Sequence, residues 1–82
     1  LMRFEVKVEV VPRDGIANPE GATIERALPA LGFLNAGNVR VGKVIQLQVE
    51  AESAASAERV VEDMCNRFLS NPGIENATVE VL

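Results

Sequence analysis

Apolar and polar positions alternate strictly at the start of the chain. Phe4, Val6, Val8 and Val10 share one parity, and Arg3, Glu5, Lys7 and Glu9 share the other. A period of two with one apolar face predicts a half-buried strand over residues 3–11. Asp14-Gly15 then marks a turn, and Asn18-Pro19 reads as an N-cap followed by the first helical position. The period changes to that of a helix. Ile24, Ala27, Leu28 and Leu31 make a short stripe, which predicts a helix over residues 19–31. Pro29 removes one backbone bond from its last turn, and Gly32 stands where a left-handed C′ residue belongs.

Residues 38–51 return to period two. Val39 and Val41 match the parity of Ile45, Leu47, Val49 and Ala51, but Lys43 breaks the pattern directly after Gly42. Two strands with a tight connection at Gly42-Lys43 account for this, as does one strand with a bulge. Two strands are the preferred reading, the second running from Val44 to Ala51. The longest periodic segment follows. Ser53 caps it, and Ala57, Val60, Val61, Met64, Cys65, Phe68 and Leu69 fall at helical spacing, which places Phe68 on the buried face. Asn71-Pro72-Gly73 ends this helix. Ala77, Val79 and Val81 then alternate with Asn76, Thr78 and Glu80 in a last strand.

The predicted order is β-α-β-β-α-β in a single domain over residues 1–82. Four strands with one apolar face need a cover, and two amphipathic helices supply it. The expected fold is therefore an α+β two-layer sandwich, ferredoxin-like or closely related. The second sheet face is mostly polar but carries Val11, Val44 and Leu82, and uncovered sheet faces and edges are common places for subunits to join. Met2 reads as the native start, with Leu1 a remnant before it, and no signal segment is apparent.

Charge and residue usage narrow the chemistry. The net charge is −4, and the eight Lys and Arg do not gather into a basic face, so nucleic acid is not an expected partner. No apolar run is long enough to span a membrane. A single cysteine forms no internal disulfide and fits a reducing cytoplasm. Cys65 lies on an apolar helix stripe, and the chain has no histidine to deprotonate it, so it reads as a structural thiol. Glu62 and Asp63 read as solvated charges, as do Glu50 and Glu52, and no spacing resembles a metal site. The six glycines match neither the Rossmann nor the P-loop spacing. No catalytic, cofactor-binding or metal-binding set is expected.

Two places remain as candidates for contact with a partner. Asn18, Pro19 and Gly21 open a helix, where backbone N–H groups attract anions, although Glu20 would repel one and capping alone explains the residues. Arg40 and Lys43 flank Gly42 at the expected hairpin tip, which suits a partner's carboxylate or phosphate, with a solvated turn as the plain alternative. The same element order serves acylphosphatases, but the stretch VPRDGIANPEG after the first strand lacks their arginine cradle. It also serves ligand-binding regulatory domains of the ACT type, which survive here by fold analogy alone.

Several segments in order resemble the PurS family. They are FEVKVEV (4–10), ANPEGATIERALPALGF (17–33), VRVGKVIQLQVEAES (39–53) and VEDMCNRFLSNPGIE (61–75). The family's DPQG-like helix start corresponds to Asn18-Pro19-Glu20-Gly21, its LGF-like helix end to Leu31-Gly32-Phe33, and its VRxGK hairpin to Val39–Lys43. Its MC…L…NP…IE pattern corresponds to Met64-Cys65, Leu69, Asn71-Pro72 and Ile74-Glu75. Asn18 replaces the more usual Asp, Glu20 stands where Gln is common, and Pro29 interrupts the first helix.

The resemblance implies a non-catalytic assembly subunit of phosphoribosylformylglycinamidine synthase, in de novo purine synthesis. Such a subunit joins the synthetase PurL to the glutaminase PurQ, and ATP and Mg²⁺ are bound by the large subunit. It further implies a cytoplasmic homodimer, with a tetramer as the next assembly.

Overall fold

The computed structural model describes all 82 residues, Leu1–Leu82. Strand β1 runs over Met2–Pro12, helix α1 over Pro19–Ala27, strand β2 over Lys43–Ala51, helix α2 over Ala54–Met64 and strand β3 over Glu75–Val81. The sheet has three strands in the order β2-β1-β3, and both pairs are antiparallel. Val6 faces Leu47 on one side and Val81 on the other, and Val8 faces Ile45 and Val79. This register places the apolar parity of all three strands on one face, as the alternation requires. The result is a ferredoxin-like layout that lacks one edge strand.

Helix α2 covers the centre of that face. Val6, Val8, Val10, Val61 and Cys65 form the core, with Phe4, Ile45, Leu47, Val49, Met64, Leu69, Val79 and Val81 packed around it and partly exposed. Ser53 caps α2 as expected, its hydroxyl accepting from the Ser56 amide at 3.1 Å. The polar sheet face carries Lys7 with Glu80 at 3.3 Å, Arg3 with Glu50 at 3.8 Å and a Gln48–Glu5 hydrogen bond at 2.6 Å.

Three expectations need correction. Residues 38–42 form no strand, so the Gly42-Lys43 hairpin is absent and the sheet has three strands rather than four. The backbone there is bonded to side chains of α1 and its cap instead of to a neighbouring strand, as described below.

Phe68 is not buried. It is 87% exposed, because the end of the second helix widens into a π turn over Cys65–Leu69. Ser70 donates from both its amide (3.1 Å) and its hydroxyl (2.9 Å) to the Cys65 carbonyl, which fixes the i→i+5 closure. One extra residue per turn brings Leu69 to the sheet and turns Phe68 outward.

Helix α1 does not cover its own sheet. Antiparallel pairing of β1 with β2 means that the chain leaves and re-enters the sheet at the same end, so α1 belongs to a long excursion and need not run back along the strands. Of its residues only Gly21 is buried. The last turn of the predicted helix tightens to a 3₁₀ turn at Pro29–Leu31 and stops at Gly32, whose φ of 95° is the left-handed region.

Candidate partner interface

The helix start and the segment that was read as a hairpin meet in space. Asn18 sits at the joint. Its Oδ1 accepts from the Gly21 amide at 3.0 Å, which caps α1, and also from the Val41 amide at 3.3 Å. Its Nδ2 donates to the Val41 carbonyl at 3.1 Å. One side-chain amide thus satisfies both backbone groups of Val41, which a neighbouring strand would otherwise do. About two helical turns further on, the Glu25 carboxylate accepts from the Val39 amide at 2.9 Å.

Pro19 holds the first helical position, where its missing N–H costs nothing. Gly21 is required by close approach, because a Cβ there would run into the Val39 carbonyl. Gly42 is required for the same reason on the other side, since a Cβ would lie 2.5 Å from the Val10 carbonyl oxygen and 3.1 Å from a Val11 methyl. The segment 39–42 is therefore clamped between the α1 start and the end of β1.

The two cations behave differently. Arg40 reaches back to Asp14 at 3.3 Å, an ion pair whose acid is 98% exposed and which solvent weakens. Lys43 is exposed at the first position of β2 and has no carboxylate partner. Asn18, Pro19, Gly21, Arg40, Gly42 and Lys43 thus occupy one end of the molecule, with the first, third and fifth building the clamp and Arg40 and Lys43 presented on it. The contribution of Glu25 was missed by sequence reading, because a lone glutamate on a helix face gives no sign of which backbone it will meet.

A cleft of about 330 Å³ lies on the other flank of α2, lined by Arg13, Glu62, Cys65, Asn66, Ser70 and Glu75 among others. Arg13 is committed there to structure, donating from Nε (3.1 Å) and Nη2 (2.8 Å) to the Pro72 carbonyl. Cys65 is buried, and its thiol pKa is raised first by that burial and then by the Glu62 charge, which suppresses the reactive thiolate.

Comparison with known proteins places these features in a family. The family model PurS, described as phosphoribosylformylglycinamidine (FGAM) synthase, matches residues 5–82. The PurS subunit from Methanothermobacter thermautotrophicus is 41% identical over 80 residues, covering 98% of this chain and 94% of the relative. The PurS subunit from Thermotoga maritima is 37% identical over 79 residues, covering 96% of each. The crystal structure of the T. maritima subunit superimposes with a TM-score of 0.91 at 36% identity, covering all of this chain and 94% of that one. A chain in the structure of PurLQS from T. maritima gives 0.90 at 35% identity over the full length of both. The chain belongs to the PurS family.

Proposed function

We propose that this chain is the small accessory subunit of phosphoribosylformylglycinamidine synthase and that it joins a PurL synthetase to a PurQ glutaminase. The observation that carries the reading is the full-length likeness, at 35% identity, to a chain in the PurLQS structure. The T. maritima relative is described as the purS subunit of an enzyme classed EC 6.3.5.3. The reaction replaces the amide oxygen of formylglycinamide ribonucleotide with nitrogen taken from glutamine. ATP and Mg²⁺ belong to the large subunit, and this chain supplies assembly rather than chemistry. Its site of action is the cytoplasm. Self-association into a homodimer, or further into a tetramer, is part of the reading.

Arg40 and Lys43 are the residues proposed to face a partner carboxylate or phosphate, with Asn18, Pro19, Gly21 and Gly42 fixing the backbone that carries them. The Asp14 pair of Arg40 is exposed, so exchanging it for a partner acid costs little. The alternative, a regulatory domain that binds a small metabolite, rests on an element order that includes a fourth strand. Only three strands are present.

Reconstitution tests the reading. Purified synthetase and glutaminase from the same source are assayed for glutamine- and ATP-dependent formation of the amidine product, with and without this chain. Activity and co-elution that depend on the chain are expected, and Arg40→Glu with Lys43→Glu should weaken co-elution while leaving the circular dichroism spectrum unchanged. Full glutamine-dependent activity without the chain would overturn the assembly role, and normal assembly of the double variant would remove the two cations from it.

A further inference from the structure

The cleft between α2 and the start of β3 brings together charges of both signs that the chain leaves unpaired. Arg13, Glu62 and Glu75 all line it. The five ion pairs of the chain involve none of the three. Arg13 directs Nε and Nη2 to the Pro72 carbonyl, which leaves Nη1 without a protein partner. Glu75 accepts from the Asn71 amide through Oε1 at 2.7 Å, which leaves Oε2 free. Glu62 faces the same space, since its charge acts on the Cys65 thiol. Asn66 and Asn76 add two side-chain amides to the lining.

The walls are fixed by backbone bonds. Beside its side-chain contacts, Arg13 donates its amide to the Ile74 carbonyl at 2.8 Å. The two bonds from Ser70 to the Cys65 carbonyl hold the π turn that carries Asn66. Such turns often stand at functional sites. Groups held in place before a ligand arrives cost less to order when it binds.

Charge and size select the ligand. Two carboxylates against one guanidinium repel phosphate, which removes nucleotides. A volume of about 330 Å³ lies at the small end of ligand sites. An α-amino acid meets both conditions. Its carboxylate suits the free Nη1 of Arg13, and its ammonium suits the free oxygens of Glu62 and Glu75. The amides of Asn66 and Asn76 can each donate and accept, which favours a polar side chain without charge.

We propose that this cleft binds a free α-amino acid with a polar, uncharged side chain. The site adds a ligand to the assembly role and does not depend on it. It is tested on the purified chain alone, so its failure is distinct from failure to join a synthetase.

The ¹⁵N-labelled full chain is titrated with L-glutamine, L-asparagine, L-serine and L-leucine, followed by heteronuclear NMR. At least one of the three polar amino acids should give shifts at residues 65–70 and 75–77 that saturate by about 10 mM. L-Leucine should bind at least about tenfold more weakly. The Nα-acetyl derivative of the bound amino acid lacks the ammonium, and its α-carboxamide lacks the carboxylate. Each should lose about tenfold or more in affinity. Glu62→Gln alters an exposed side chain, so it keeps the fold, and it should lose affinity to a similar extent. No saturation by any polar amino acid, equal binding of L-leucine, or undiminished affinity of either derivative or of the Glu62→Gln chain would overturn the proposal.

Discussion

Replacing Asn18 measures the clamp directly. Asn18→Ala removes the α1 cap, worth about 1 kcal/mol. It also removes two hydrogen bonds to the part-buried Val41 backbone, at 3.3 and 3.1 Å, each worth about 1 kcal/mol. No other group stands in for them, so the loss should be about 2–3 kcal/mol, or a fall of roughly 10–20 °C in Tm for a domain of this size. Asn18→Asp separates the parts. The carboxylate keeps both acceptor bonds and gains about 0.3–1 kcal/mol from the helix dipole, but it loses the donor to the Val41 carbonyl. The two effects nearly cancel, and Asp should fall within about 1 kcal/mol of wild type. Urea unfolding followed by circular dichroism at one fixed protomer concentration reads both variants, since self-association would otherwise shift the midpoint. An alanine variant within about 0.5 kcal/mol of wild type would refute the clamp. An aspartate variant as unstable as alanine would show that the shared acceptor is not what holds the segment.

Val61→Ala should cost about 2–3 kcal/mol by urea unfolding, because Val61 has no exposed surface and the change removes two methyl groups from the core. Phe68→Ala should change the unfolding free energy of the dilute chain by less than about 0.5 kcal/mol, given its exposure, and a loss above 2 kcal/mol there would mean that the π turn is absent. Gly42→Ala should cost more than about 1 kcal/mol, since the atom 2.5 Å from its Cβ is backbone and has to move. The raised thiol pKa of Cys65 means that the folded chain holds this proton more tightly than the unfolded one, whose value is 9.0. That contribution is complete below the unfolded value and is lost as pH climbs through the folded one. The stability advantage of wild type over Cys65→Ala should therefore be constant well below pH 9.0 and shrink as the pH rises past that unfolded value, and a constant difference throughout would remove burial as the cause.

What was legible in the sequence was whatever rested on local pattern. The alternation of Phe4 to Val10 gave β1 its face, and Ser53, Asn18 and Gly32 act as the caps that their types suggest. The match to the PurS family covers residues 5–82, much as the ordered motifs implied. The illegible parts were decided by contacts between distant residues. Val39 and Val41 have strand parity, but their backbone groups go to Glu25 and Asn18, which are 14 and 23 residues away. The helical period beyond Met64 allowed Phe68 and Leu69 equally, and a bond pair from Ser70 to the Cys65 carbonyl chose Leu69. The stripe on α1 was read correctly as apolar, yet nothing in a stripe says whether its cover belongs to the same molecule.

That last point bears on how such a chain is stable at all. Among large side chains only Val6, Val8, Val10 and Val61 are fully buried. So few fully buried side chains make for a marginal fold in a domain of this length. A marginal fold of this kind gains its remaining stability from whatever covers α1, Phe68 and the β2 row. Folding and assembly are then one equilibrium. If the cover is a second copy, the unfolding free energy per dimer rises by about 1.4 kcal/mol for each tenfold rise in protomer concentration. Thermal unfolding at two concentrations a hundredfold apart should therefore show a higher Tm in the more concentrated sample. An unchanged Tm with a single sharp transition would mean that the lone chain is self-sufficient, and that its exposed apolar face contributes nothing to its stability.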